Sequence, residues 1–323
     1  MSRTGAGKHT PVLVDQVLGL LAEMGDPATL DGWVVDGTLG AGGHAGAVLA
    51  AFPALRVLGI DQDPDALEIA RSVLAPHGER ARIAPGRISQ LERIVEAHGV
   101  SRIRMVLFDL GASSMHFDRP ERGFSLQHDG PLDMRMDPAR TRTAADIVNH
   151  WDEADLADLF YYEGDERRSR RIARAIVEAR HRLPFQRTLA LAEVVAAAVG
   201  PRRGKIHPAT RVFQALRRAV NEEGEELIAG LNVSERILDT DGRLVVISFH
   251  SGEDSIVRRF LTERARRGHW QLVTSKPLGP DVAERRVNPR ARSALLRCAR
   301  RTRAAGNHTP LWTPGPAWTG GAH

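Results

Sequence analysis

Between Val34 and Asp61 the chain carries a pattern that leaves few folds open. Val34 and Val35 form a short β-branched run that ends on an acid, Asp36, and Gly37, Gly40, Gly42 and Gly43 crowd the turn that follows. Residues 45–51 are small and apolar, residues 57–60 are apolar again, and this second run also ends on an acid, Asp61. Two strands separated by the length of one helix make a parallel βαβ unit with a right-handed crossover. The glycines let backbone approach a ligand where a Cβ would intrude, and a carboxylate at the tip of the second strand can accept both hydroxyls of a ribose. The unit therefore reads as a nucleoside-cofactor site, with His44 inside the glycine turn as a further cofactor contact.

The local pattern admits two cofactors. Gly40-Ala41-Gly42-Gly43-His44-Ala45 satisfies the G-x-G-x-x-A form of the dinucleotide fingerprint, with Asp61 about 20 residues on. Asp36 argues the other way. A pyrophosphate needs positive potential from backbone amides, so a carboxylate at the strand tip repels it. S-adenosylmethionine brings an ammonium, a sulfonium and no phosphate, and an acid there attracts it.

Further along, strands are expected at 33–36, 57–61, 81–84 and 105–109, an alternation that predicts a parallel sheet with its ligand crevice at the carboxyl ends of the strands. Asp109 closes the fourth strand. At that tip a carboxylate can take a hydrogen bond from an amine N–H and draw the nitrogen towards a reactive geometry, which makes Asp109 the catalytic candidate. After Leu110 the rhythm stops. Residues 143–221 read as successive helices, expected at 143–150, 153–162, 166–181, 188–199 and 208–223. A helix at 225–238 and a strand at 244–249 then restore the alternation, followed by a helix at 253–267 and strands near 271–274 and 293–298. A helical module is thus inserted into one nucleotide-binding domain, with 1–115 and 222–323 on either side of residues 116–221. Two tandem domains would instead leave the first sheet with an unburied edge. The tail from Asn307 is expected to fray.

Composition excludes several classes. One cysteine in 323 residues, Cys298, permits no disulfide within the chain and no cysteine-rich zinc module. The histidines show no H-E-x-x-H spacing, so no metal is expected. Residues 1–11 lack a signal-peptide core, and the most apolar helix, 189–199, carries Glu193 and is too short to cross a bilayer. These features predict a soluble, cytoplasmic chain that makes no use of a membrane. The net charge of +5 suits an anionic partner, with arginines crowded at 167–174 and 258–303; only Lys8, Lys205 and Lys276 are lysines. His250-Ser251 does not make a hydrolase elbow, because Phe249 and His250 precede Ser251 where a glycine two residues upstream is needed. These two residues are read as a substrate-facing wall. Asp133, Arg135 and Asp137 read as a local salt-bridged turn.

With those residues in view, the chain resembles the RsmH (MraW) family, bacterial S-adenosylmethionine-dependent methyltransferases acting on a cytidine N4 amine of small-subunit ribosomal RNA. The resemblance rests on His9-Thr10-Pro11-Val12, Asp36-Gly37-Thr38 with Gly42-Gly43-His44, and Asp61-Gln62-Asp63-Pro64. It continues through Asp109-Leu110-Gly111 with Ser113-Ser114, Glu121 to Ser125, Asp129 to Asp137 and Arg171 to Ile176. Farther on stand His207 to Arg211, Ser248-Phe249-His250-Ser251 with Glu253-Asp254, and Asn288 to Ser293. It implies an α/β, Rossmann-like class I methyltransferase domain with an inserted all-helical, substrate-recognising domain. It also implies cofactor contacts at Gly42, Gly43, His44, Asp61, Ile88, Asp109 and His116. Ile88 stands where an aromatic can lie against adenine, His116 where a Gln can occur, and Gly252 where a Leu is expected. The substrate implied is a cytidine in the decoding region of 16S ribosomal RNA in the small subunit. The chain lacks the Asn/Asp-Pro-Pro-aromatic signature of many amino methyltransferases, so the ring that clamps an extruded base must come from elsewhere: Phe124, Phe117 and Trp151 are the candidates. A homodimer is left open. Two other readings stay beside this one, an NAD-dependent oxidoreductase and a non-catalytic, RNA-binding ribosome-assembly factor.

Overall fold

The computed structural model describes residues 11–112, 114–200, 207–302 and 312–313. The expectations attached to Lys8, His9, Thr10, Ser113 and Lys205, and to the tail apart from Trp312 and Thr313, lie outside those residues.

Seven strands make one sheet: β1 Gly32–Asp36, β2 Leu55–Asp61, β3 Ala81–Pro85, β4 Ile103–Asp109, β5 Arg243–Ser248, β6 Trp270–Leu272 and β7 Leu295–Arg301. Their order is β3-β2-β1-β4-β5-β7-β6. The first five strands are parallel, and β7 runs antiparallel to both β5 and β6. Val34, Val35, Leu58, Phe108 and Val245 are at most 1% exposed, the near-continuous apolar run of strands covered on both faces. Strand β4 pairs with β5 through Phe108 and Val246, so strands on either side of the helical stretch share one sheet. The order reverses at β1, with β2 and β3 on one flank and β4 and β5 on the other. That places the ligand crevice of such a sheet at the carboxyl ends of β1 and β4.

The described chain divides into two compact units, residues 11–111 with 226–302 and 312–313, and residues 112–225. The first holds the sheet and the helices that cover it, among them Gly43–Ala51, Pro64–Leu74 and Ser251–Arg266. Helix Pro64–Leu74 starts at a side-chain cap, the Asp63 carboxylate accepting from the Asp65 amide, with proline at its first position. Helices Val14–Ala22, Leu91–Ala97 and Val282–Val287 were not foreseen in the sequence.

In the second unit the described residues contain helices and no strand. Helices Ala144–His150, Glu153–Tyr162, Ser169–Arg180, Thr188–Val199 and Thr210–Asn221 bury a core in which Ile147, Phe160, Ile172, Leu191 and Leu216 are fully inaccessible. Thr143 and Asp146 cap the first of these reciprocally. The expected helix 208–223 is shorter, and the next begins at Glu223, because Glu222 sits in the left-handed region at φ 53 and closes one helix against the other. The loop before the first helix is held by side chains. Asn221 accepts from the Met136 amide and donates to the Met134 carbonyl, and the Arg135 guanidinium pairs with Asp133, whereas Asp137, expected in the same salt-bridged turn, accepts from the Ala139 amide instead.

Candidate active site

Three carboxylates end three neighbouring parallel strands: Asp61 on β2, Asp36 on β1 and Asp109 on β4. The turn after β1 is shaped by close approach. A Cβ on Gly37 would stand 2.6 Å from the Phe108 ring, so only glycine lets the chain leave β1 beside β4. Gly42 adopts φ 82, the left-handed conformation that caps helix Gly43–Ala51, and His44 on the first turn of that helix is carried back towards β4. His44 Nε2 lies 3.6 Å from Asp109 Oδ2, an electrostatic contact just beyond hydrogen-bond range.

Backbone amides orient the outer acid. Asp61 Oδ2 accepts from the Gly40 amide at 2.7 Å and Oδ1 from the Asp63 amide at 2.9 Å, so one carboxylate ties the glycine turn to the loop after β2. Thr38, a residue to which sequence reasoning gave no role, joins the other two tips. Its hydroxyl accepts from the Asp109 amide at 2.6 Å, while its own amide donates to Asp36 Oδ1 at 3.2 Å. A threonine inside a glycine turn carries no periodic signal, and only the juxtaposition of β1 with β4 reveals it.

The electrostatics follow from burial. Asp36 is 2% exposed, and desolvation pushes its pKa from the ordinary 3.8 up to about 7, with His44 and the Thr38 amide opposing the shift and the carboxylates of Asp109 and Asp61 adding to it. Burial disfavours the imidazolium of His44, yet the Asp109 carboxylate and then Asp36 hold its pKa above the ordinary imidazole value. Both ring nitrogens of His44 and Asp109 Oδ1 are buried without a hydrogen-bond partner. Orphaned polar atoms beside the buried acid Asp36 leave hydrogen-bonding capacity that a polar ligand can satisfy.

Ile88 follows β3 in a short 3-10 turn, Ile88–Gln90, with its Cγ2 against Gly230, where a Cβ would come within 2.1 Å. His250 and Ser251 follow β5. His250 caps helix Ser251–Arg266: its Nδ1 accepts from the Gly252 amide at 3.1 Å, and its Nε2 lies 2.9 Å from Glu253 Oε1. Glu253 in turn accepts from the Phe249 amide at 2.9 Å. Nδ1 is thus committed to starting a helix, whereas Nε2 is buried beside Glu253 without a hydrogen bond, and Ser251 is exposed on the first turn. His116 and Phe124 belong to the second unit, with ring centroids 4.8 Å apart. Phe124 is 5% exposed and part of the helical core, whereas Phe117, packed edge-on against it, is 38% exposed. Trp151 is half-buried with the Arg142 guanidinium over its ring. Among the described residues no group of three or more His, Cys, Asp or Glu is arranged to hold a metal ion, and no helix is long and apolar enough to cross a membrane.

A family model described as "MraW methylase family" matches residues 6–302. A protein from Methylobacterium sp. (strain 4-46) named ribosomal RNA small subunit methyltransferase H is 50% identical over 313 residues, spanning 92% of this chain and 91% of its own. Proteins of the same name from Beijerinckia indica subsp. indica and from Cereibacter sphaeroides (strain ATCC 17025 / ATH 2.4.3) are each 46% identical, over 93% and 94% of this chain and 87% and 93% of their own.

Proposed function

The chain belongs to the MraW methylase family, and from that premise we infer an S-adenosylmethionine-dependent methyltransferase of small-subunit ribosomal RNA and propose, as its acceptor, the N4 amine of one cytidine in the decoding region of 16S ribosomal RNA. The observation that carries the methyl-donor reading is the set of orphaned buried atoms on His44 and Asp109 beside the buried acid Asp36. These residues fit the donor: Asp36 faces positive charge, Asp61 takes the ribose hydroxyls, and Gly42, Gly43 and Ile88 line the remaining wall. When bound, the donor supplies an electrophilic methyl group on a sulfonium.

The work left to the protein is placement and proton removal. A cytosine N4 amine is a weak nucleophile because its lone pair is delocalised into the ring. As the N–C bond forms and the S–C bond breaks, the nitrogen must shed one proton. Asp109 Oδ1, buried and unpartnered at the β4 tip, accepts a hydrogen bond from the amine N–H and then the proton. His44, 3.6 Å away, and the Thr38 hydroxyl under the Asp109 amide hold that carboxylate in place. The second unit, with the exposed ring of Phe117, serves substrate recognition in the cytoplasm.

Incubation with labelled S-adenosylmethionine and small subunits from a strain lacking this gene is expected to place label on N4 of a single cytidine, read by nucleoside analysis. Label elsewhere refutes the acceptor. Subunit binding without label leaves a non-catalytic assembly factor, and calorimetry showing tight NAD binding with no response to S-adenosylhomocysteine leaves an oxidoreductase. Asp109→Asn is expected to lower the rate at saturating substrate about 100-fold or more, the scale of a lost general base, with subunit affinity retained.

A further inference from the structure

The chain has only two tyrosines, and they stand side by side at the end of helix Glu153–Tyr162. Tyr161 is 52% exposed and Tyr162 62%, with their rings edge to face at 5.1 Å. Tyrosine has a large apolar area to hide, so an adjacent pair left in water calls for a partner. The next helix, Ser169–Arg180, packs beside the first in a hairpin, and the turn and first helical turns between them carry Arg167, Arg170 and Arg171, all exposed.

These three arginines differ from their neighbours. Arg174 lies 3.6 Å from Glu153, Arg168 donates to the Val199 carbonyl and Arg180 to the carbonyls of Val148 and Trp151. Among the described residues Arg167, Arg170 and Arg171 have no acid within ion-pair distance. The exposed acids nearest in sequence are Asp158, one turn before the tyrosines, and Asp165. Exposed aromatic rings at the end of one helix and uncompensated guanidinium groups at the start of the helix packed beside it match an unpaired nucleic-acid strand, whose bases stack on the rings while its phosphates meet the cations.

We propose that Tyr161, Tyr162, Arg167, Arg170 and Arg171 form a docking surface for a single-stranded segment of ribosomal RNA, apart from the base that receives the methyl group. The proposal rests on the reading of the chain as a ribosomal RNA methyltransferase, and names where that RNA is held. All five side chains are exposed, so their replacement leaves the core of the unit intact.

The test uses the full chain in two variants, Tyr161→Ala with Tyr162→Ala, and Arg170→Ala with Arg171→Ala. Unmethylated small subunits and protein-free small-subunit ribosomal RNA serve as probes, with S-adenosylhomocysteine calorimetry as the control for an intact cofactor site. Each variant is expected to raise KM for subunits about tenfold or more, the scale of losing a stacked base or a pair of phosphate contacts, with kcat and S-adenosylhomocysteine affinity unchanged. The arginine variant should also lower the slope of log affinity against log salt by about 1.4, at about 0.7 per phosphate on a single strand. Unchanged KM and salt slope, with wild-type methylation intact, overturns the docking surface and leaves the enzymatic reading standing. Weaker binding to subunits but equal binding to protein-free RNA overturns it in favour of a ribosomal protein. A wild-type chain that labels no subunits overturns both.

Discussion

A carboxylate taken out of water holds its proton, and Asp36 does so because burial outweighs what His44 and the Thr38 amide return. Its folded-state pKa of about 7 lies above the ordinary 3.8 of the unfolded chain, so folding takes up a proton between those values. The stability this group contributes is present below the ordinary value and is lost as pH rises through about 7. Asp36→Asn removes the charge that high pH forces into the site. The variant is expected to melt above wild type at pH 8 without cofactor, with the difference vanishing below about pH 4. At pH 8 it should bind S-adenosylmethionine at least about tenfold more weakly, the scale of a lost hydrogen bond to a charged group. Thermal melts at both pH values and calorimetry check this, and a variant that melts below wild type at pH 8 while binding equally well removes Asp36 from the site. The acids themselves were legible because each ends an apolar run. The burial of Asp36 between its two neighbours was not, since it depends on which strand tips become neighbours.

At the scale of single elements, a side chain's task is set by the element it begins or ends. His250 stands after β5, where a wall facing substrate is expected, and its Nδ1 also caps helix Ser251–Arg266. His250→Ala is expected to cost about 1 kcal/mol in urea denaturation, as for loss of an N-cap, with donor affinity unchanged. Unchanged stability combined with a raised KM for subunits would return it to the substrate wall. Strand β7, expected near 293–298, begins two residues later and runs three residues farther, because its arginine-rich end, Arg300-Arg301, reads as a polar surface run. In the fold Arg297 pairs with Asp254 and Arg300 with Asp241, and Arg301 is 4% exposed. Pairing across elements accommodates Arg297 and Arg300 on the strand, and no local pattern announces it.

Across the molecule, the second unit separates core aromatics from presented ones. Phe124→Ala is expected to lose about 3–5 kcal/mol of stability, the cost of emptying a buried aromatic site, so any loss of methylation there accompanies unfolding. Phe117→Ala should stay within about 0.5 kcal/mol of wild type and still lower methylation of subunits, with S-adenosylhomocysteine affinity intact. Chemical denaturation and single-turnover labelling separate the two outcomes. The sequence by itself determined the alternation of strands and helices, the helical stretch that interrupts it, the acid at each strand tip and the glycines that let backbone crowd a ligand. Period, chain stiffness and turn chemistry are local properties, written within a dozen residues of one another. Only the tertiary structure decided that β7 enters antiparallel beside β5, that Thr38 bridges β1 to β4, that burial drives Asp36 towards its protonated form, and which of two neighbouring phenylalanines stays in reach of solvent. Each of these depends on groups far apart in the chain meeting in a medium from which water is excluded, where the energy of a charge or a ring is set by its neighbours.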